Sequence, residues 1–233
     1  MEALGTLAGG IAHDFNNILF SILTHAHLIS RKIEPTDPIA NSVNMIVKAG
    51  QRAERLTKQI LTYLRKSEEA VQPVLIQHII DEVVDLLKPA IPKTIELHLE
   101  IAPSCRPIMA DPTQIHQVIL NLCTNAYQAI GQNDGVIHIS LADQPFDGET
   151  RHNIPAGEYL QLMVSDTGSG IQKSDLESIF DPYFTTKGKG EGTGLGLSMV
   201  HGIVSGLNGH IHVDTTLGRG TRFFIYFPIT CGV

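Results

Sequence analysis

Apolar residues in the first third of the chain recur with helical spacing. From residue 4 to residue 33 they follow one another in steps of three and four, which is one face of an α-helix. Pro35-Thr36-Asp37-Pro38 interrupts this stripe, with Asp37 placed to cap a second helix and Pro38 at its first position. A second apolar stripe then runs from Ile39 to Leu64. The pattern predicts an antiparallel helical hairpin.

A hairpin of two helices encloses little core. Pairing with a second copy into a four-helix bundle is the simplest completion, so we expect a homodimer.

One histidine of the first helix points away from the apolar stripe. Each residue turns a helix by about 100°, so His13 lies opposite its apolar neighbours, Asn17 shares its face, and Asp14 flanks it. An outward histidine has no packing role and is a candidate for chemistry. Taken alone, an outward histidine is more often an idle surface residue, which is how we interpret His25 and His27.

The rest of the chain follows a different pattern. Residues 66–73 (KSEEAVQP) are polar and typical of a linker. Strict alternation over residues 95–101 predicts a half-buried strand. Further helices are expected over 76–87, 111–131 and 197–207, and further strands over 136–141, 159–165, 210–216 and 221–229. Gly218-Arg219-Gly220 is expected to join the last two strands as a hairpin. Strands interrupted by helices predict a mixed sheet covered by helices on one face.

Composition narrows the class of protein. The chain has 233 residues, 42% of them hydrophobic and 18% charged, which is ordinary for a globular protein with a real core. We find neither an apolar run of about 20 residues nor an N-terminal targeting pattern, so we expect a cytoplasmic fragment without direct membrane contact. Three cysteines without ligand spacing argue against disulfides and zinc. A net charge of −7 argues against nucleic-acid binding.

Charge and glycine are unevenly distributed. Residues 1–70 hold 8 Lys and Arg against 7 Asp and Glu, whereas the remainder holds 9 against 17. Seven of the 21 glycines lie between Gly168 and Gly196. The nearly neutral helical part and the acidic, glycine-rich part therefore predict two domains.

Amide side chains line one side of the 111–131 helix. Carboxamide oxygens can fill one or two places around Mg²⁺ while waters and phosphates fill the others. A solvated helix edge explains the same pattern, and both interpretations stay open here. The residues are Gln114, Gln117, Asn121, Asn125 and Gln128.

Asp166-Thr167-Gly168-Ser169-Gly170 follows an apolar strand. A carboxylate there can accept from an exocyclic amine and so select adenine, although a simple turn is the alternative. Phe180–Lys187 adds aromatic residues and a basic end, followed by glycines at every second position from 188 to 196. Such a loop before a helix offers N–H groups to phosphates and can act as a lid.

These elements together resemble the sensor histidine kinases of two-component signalling, over almost the entire chain. Gly9–Leu19 (GGIAHDFNNIL) is similar to that family's phosphoacceptor box, and Gln117–Ala126 to its Mg-nucleotide helix. Asp166–Gly170, Phe180–Lys187 and Gly192–Leu197 are similar to its three remaining boxes. The AHDFNN sequence resembles a subgroup that often contains hybrid kinases with upstream PAS-type sensors.

The resemblance implies a fold and a set of roles. The fold is a dimeric helical hairpin (residues 1–66), a linker (67–73) and an ATP-binding α/β two-layer sandwich (74–233) of the type shared with gyrase and Hsp90. His13 would accept the γ-phosphoryl group of ATP while Asp14 orients it. The other implied roles are Mg²⁺ binding by Asn125 and Asn121, adenine recognition by Asp166, and shaping of the pocket and lid by Gly168, Gly170, Gly192, Gly194, Gly196 and Lys187.

The implied partners are a second copy, a response-regulator receiver domain supplied in trans or fused beyond Val233, and an upstream sensor domain outside this sequence. Asn17, four residues after His13, matches a position that orients water in phosphatase reactions of related kinases. Gln128 stands where many relatives have Lys or Arg, which leaves one phosphate contact to Lys187 or Lys189. The alternative function is a gyrase/Hsp90-like ATPase module acting as a dimeric conformational switch.

Overall fold

The computed structural model describes residues 18, 21–30, 33, 37, 39–47, 49, 50, 71–89, 91–147, 154–186 and 193–229. The chain divides into two compact units, Met1–Glu68 and Glu69–Val233. This division falls inside the predicted linker, whose last two residues begin a strand; the domain boundaries themselves stay a prediction. No described helix combines the length and the apolar character that crossing a bilayer requires.

The first unit contains two helical segments, α1 (residues 21–30) and α2 (residues 39–47, 49 and 50). Asp37 caps α2 as predicted, because its carboxylate accepts from the Ile39 N–H at 2.8 Å. The segments touch where Gly50 faces Leu23, since a Cβ on Gly50 would lie 2.7 Å from Leu23 Cδ2. Leu23 lies near the start of α1 and Gly50 lies at the end of α2, so this contact is the one that an antiparallel pair makes.

The hairpin buries only a narrow part of its apolar stripes. Ala26 and Val43 are 5% exposed and Gly50 is buried. Other stripe positions that the structure describes face outward, with exposures from 45% to 58% at Ile18, Ile22, Ile29, Ile39 and Ile46. Two helices can cover only one side of each other, so these described residues form an apolar face outside the α1–α2 contact.

The second unit is built on a five-stranded mixed sheet. In chain order its elements are β1 (Gln72–Val74), α3 (Ile76–Leu87), β2 (Ile95–Ile101), β3 (Ile108–Ala110), α4 (Pro112–Ile130), β4 (Gly135–Phe146), β5 (Gly157–Asp166), α5 (Gly196–Gly206), β6 (His210–Thr216) and β7 (Gly220–Pro228). The sheet order is β2-β4-β5-β7-β6. Only the β2–β4 pair within it is parallel, and β1 and β3 form a separate antiparallel ribbon.

The core lies between one face of this sheet and the helices. Along β4 the buried apolar residues alternate, as in Ile137, Ile139 and Leu141, because successive strand side chains point to opposite faces. They meet buried residues of α3, α4 and α5 such as Ile80, Ile119 and Val200. The predicted mixed sheet with helices on one face is therefore confirmed.

Local signals placed most element boundaries correctly. Asp111 caps α4 through the Thr113 N–H at 2.8 Å, Pro112 opens the helix, and Gly131 ends it with φ of 68°. The predicted hairpin through Gly218-Arg219-Gly220 joins β6 to β7. The short strands β1 and β3 were not predicted, because three residues carry no periodicity and their pairing spans more than 30 residues of sequence.

Candidate functional site

The end of β5 carries a buried carboxylate. Leu160, Leu162 and Val164 point into the core, and by strand alternation Asp166 points to the same side, at 8% exposure. Its Oδ1 accepts from the Gly168 N–H at 2.8 Å, and the Thr221 N–H also donates to the carboxylate. Burial raises the pKa of Asp166, and the two N–H donors partly oppose that rise. The Asp166 carboxylate is thus a hydrogen-bond acceptor that is held in a fixed orientation in a largely apolar environment.

Residues Thr167–Gly170, which we call the strap, pack against backbone of α4 on one side and of the β6–β7 turn on the other. A Cβ on Gly168 would lie 2.5 Å from the Ala129 carbonyl carbon of α4, and the Ser169 N–H donates to the Ala129 oxygen at 3.1 Å. Gly170 has φ of +69°, and a Cβ there would overlap the Thr216 backbone. These two glycines therefore permit close packing of the segment behind Asp166 onto α4 and the β6–β7 turn.

Two further residues support this carboxylate and were not singled out from the sequence. Thr167 makes two hydrogen bonds with the backbone at the start of β4. Its Oγ1 accepts from the Val136 N–H at 2.9 Å, and its N–H donates to the Val136 oxygen. Thr221, at 4% exposure, lies beside Asp166 because β5 and β7 pair with Ser165 opposite Arg222. The only sequence signal was Gly220, whose φ is +100° and whose Cβ would overlap the Asp166 carbonyl oxygen.

Two amides of α4 converge on the first residue of α5. A Cβ on Gly196 would lie 3.5 Å from Asn121 Oδ1 and 3.9 Å from Asn125 Nδ2. Asn121 is 9% exposed, and its Nδ2 donates to the Met199 sulfur at 3.8 Å. The structure therefore brings Asn121, Asn125 and Gly196 together. Gln128, one turn beyond Asn125, is exposed.

The N-terminus of α5 retains its positive character. Its N-cap residue, Leu195, makes no side-chain cap, and the first turn holds no acidic residue. First-turn N–H groups and the helix dipole favour a negatively charged group at such an end. Gly194, just before it, has φ of +66° and packs on Tyr183, whose N–H donates to the Gly194 oxygen at 2.9 Å.

The donors near this helix end are suited to Mg²⁺ only in part. Among the described residues, no three His, Cys, Asp or Glu side chains are grouped so that they could hold a metal ion. The available donors are the neutral amides of Asn121 and Asn125. One or two amide oxygens fit a magnesium ion whose other places are filled by phosphates and waters, but not an all-protein metal cage.

Several predicted site residues lie outside the part of the chain that the structure describes. They are His13, Asp14, Asn17, Lys187 and Gly192.

Comparison with known protein families gives two matches, which together cover most of the chain. Residues 110–230 match the family described as histidine kinase-, DNA gyrase B-, and HSP90-like ATPase, and residues 3–69 match the His Kinase A (phospho-acceptor) domain.

Two curated relatives align with nearly the whole chain. It is 37% identical over 231 residues to the sensor kinase CckA of Brucella abortus (strain 2308), and 35% identical over 230 residues to the sensor histidine kinase ZraS of Escherichia coli O157:H7. Each alignment covers 98% of this chain, but only 24% and 47% of those relatives. The chain therefore spans less than half the length of either relative.

Among solved structures, histidine kinase ThkA in complex with the response regulator TrrA superposes with a TM-score of 0.61 at 25% identity, over 98% of this chain and 63% of that one. Together, the fold and these matches define an ATP-binding domain that follows a phospho-acceptor helical region. The chain belongs to the sensor histidine kinases of two-component systems, which are protein histidine kinases.

Proposed function

We propose that this chain uses ATP to phosphorylate His13 and passes the phosphoryl group to an aspartate of a response-regulator receiver domain. Family membership supports the reaction type. The observation that carries the proposal is the buried Asp166 carboxylate, held in orientation by the Gly168 and Thr221 N–H groups.

Asp166 supports ATP as the nucleotide. A carboxylate in an apolar place favours a ligand that donates to it, and the exocyclic amine of adenine is such a donor. A base without that amine would leave the buried acceptor unpaired, which is costly. The rigid backing of this carboxylate by Thr167, Gly168 and Gly220 keeps it ready for the ligand.

We place the phosphates of ATP at the N-terminus of α5. The uncapped first turn of α5 offers N–H donors, and we assign Lys187, Gly192, Gly194 and Gly196 to the loop around the phosphates. Asn121 and Asn125 would hold Mg²⁺. When bound, the ion neutralises phosphate charge and helps align the γ-phosphoryl group.

His13 supplies the nucleophile. One imidazole nitrogen attacks the γ-phosphorus, the bond from that phosphorus to the β–γ bridging oxygen breaks, and ADP leaves. Asp14 accepts the hydrogen bond of the other ring nitrogen and so supports the charge that develops on the ring. Positioning and charge neutralisation supply most of the catalysis in such transfers.

The helical unit and the comparisons support a second copy of the chain and a receiver domain as partners. The outward apolar positions of α1 and α2 support a homodimer closed as a four-helix bundle. The complex of ThkA with the response regulator TrrA supports a receiver domain as the acceptor, in trans or fused. The greater length of the relatives supports a sensor domain elsewhere in the whole protein.

Incubation with γ-labelled ATP tests the proposal. We expect label that is stable to alkali and labile to acid, and we expect His13→Gln to abolish it. His25→Gln is the matched control, because His25 lies exposed on α1, where its Nδ1 contacts the Ser21 carbonyl oxygen at 2.8 Å. Label that persists in His13→Gln would refute the assignment. ATP hydrolysis without any protein label would favour the conformational-switch ATPase instead.

We also propose that the protein dephosphorylates its partner, with Asn17 orienting the water. Asn17→Ala should slow loss of label from the phosphorylated receiver domain about tenfold or more, while autophosphorylation continues. Asn41→Ala, an exposed asparagine of α2, is the control. An unchanged rate in Asn17→Ala would contradict this role.

A further inference from the structure

Asn121 is placed between two different neighbours. Its Nδ2 meets the Met199 sulfur at 3.8 Å, and its Oδ1 faces Gly196, where an added Cβ would lie 3.5 Å away. Met199 is only 8% exposed. Asn121 and Met199 therefore join α4 to the first turn of α5 through a buried polar contact.

Packing alone leaves the orientation of this amide undecided. The oxygen and the NH₂ group of an asparagine have nearly the same size and exchange places when the amide turns by 180°. Their chemistry differs, because a hard cation binds the oxygen and is repelled by the NH₂ group. Some neighbour must therefore distinguish the two ends.

Met199 makes that distinction. A thioether sulfur accepts hydrogen bonds and has no hydrogen to donate, so it favours the NH₂ group and disfavours the oxygen. With Nδ2 on the sulfur, Oδ1 turns toward Gly196, on the side where Asn125 also lies. Glycine at 196 has no side chain to fill that space.

We propose that Met199 is a positioning residue, whose thioether holds Asn121 so that its carbonyl oxygen faces the metal-phosphate end of the nucleotide. The inference rests on the proposed ATP function. The role requires methionine at position 199, because an aliphatic side chain would fill the same volume without orienting the Asn121 amide.

Nucleotide binding with and without magnesium tests this role. The probe is AMPPNP, titrated calorimetrically in buffer with MgCl₂ or with EDTA, and the readout is the gain in affinity that Mg²⁺ produces. Met199→Leu keeps the volume of the side chain and removes the acceptor. We expect the magnesium gain to fall about three- to tenfold, the effect of one modest hydrogen bond, while metal-free affinity changes less than about twofold.

Two comparisons separate positioning from packing. Met163→Leu makes the same substitution on the other face of the sheet and should leave the magnesium gain unchanged. In an Asn121→Ala background, Met199→Leu should have no further effect on that gain, because the residue through which it acts is gone.

The outcomes distinguish this inference from the proposed function. An unchanged magnesium gain in Met199→Leu would overturn it, as would equal losses with and without Mg²⁺ or an effect that persists in the Asn121→Ala background. If the parent chain binds AMPPNP under neither condition, the proposed function itself fails and the inference fails with it.

Discussion

Alanine at position 168 tests how the carboxylate site is supported. In the structure a Cβ on Gly168 would lie 2.5 Å from the Ala129 carbonyl carbon and 2.8 Å from Ala129 Cβ, whereas carbon atoms in contact prefer about 3.5–4.0 Å. These neighbours are helix backbone and a methyl group, which have no alternative rotamer. The strap must therefore move away from α4 by roughly 1 Å.

That movement would break two hydrogen bonds. The Gly168 N–H to Asp166 distance of 2.8 Å and the Ser169 N–H to Ala129 distance of 3.1 Å would both pass beyond bonding range. Overpacking of this kind costs about 1–3 kcal/mol. For a unit that spans Glu69–Val233, each kcal/mol lowers Tm by about 2–4 °C, so the expected loss is roughly 2–12 °C. Because Asp166 also loses a donor that orients it, AMPPNP affinity should fall on the order of tenfold or more.

Thermal unfolding and calorimetric titration of Gly168→Ala measure both effects. Gly202→Ala is the control: it lies inside α5, and apart from the helix's own backbone no heavy atom of the described residues lies within 4 Å of its added Cβ. Alanine favours a helix over glycine by about 1 kcal/mol, so Gly202→Ala should raise Tm slightly and leave affinity unchanged. A Gly168→Ala protein with parental Tm and parental affinity would refute the packing argument.

Three other experiments test the environments of Asp166, Gly194 and Cys123. Burial raises the pKa of Asp166, so the folded protein holds this proton more tightly than the unfolded chain, and stability is lost as pH rises from about 4, the ordinary carboxyl pKa. Asp166→Asn should remove that loss in urea unfolding while lowering AMPPNP affinity at least about tenfold; parallel pH dependences of unfolding free energy would contradict it. Gly194→Ala should lower Tm more than Gly218→Ala, because both have positive φ but only Gly194 also meets a neighbouring backbone, that of Tyr183; equal losses would be inconsistent with this contact. Burial raises the pKa of Cys123 to about 12, so iodoacetamide at neutral pH should leave this thiol unlabelled in the folded protein and label it in urea, as peptide mass spectrometry can show.

Local signals in the sequence were enough to place the helices and long strands of the second unit. The cap at Asp111, Pro112 at the first helical turn and Gly131 at the end bound α4 correctly. The alternation at residues 95–101 gave β2 its observed bounds. Such signals act within a few residues, so neighbouring sequence carries them completely.

The sequence offered candidate site residues where a local pattern marks them. Asp166 ends an apolar strand, and Asn121 and Asn125 share one side of a helix; their roles stay predictions. Thr221 and Met199 could not be found in this way. Thr221 reaches Asp166 through the β5–β7 register, and Met199 reaches Asn121 through packing of α5 on α4.

The sequence by itself determined the division into a helical and an α/β part, the element order of the second, and the residue types available for nucleotide chemistry. These depend on periodicity, turn residues and side-chain chemistry, which are local properties. Only the tertiary structure decided why Gly168 must be glycine, which N–H groups hold Asp166, and which way the Asn121 amide is oriented. The atoms that decide them are far away in the chain: Ala129 from Gly168, Thr221 from Asp166, and the Met199 sulfur from Asn121. Periodicity and turn residues act over a few neighbours and carry no information about such contacts.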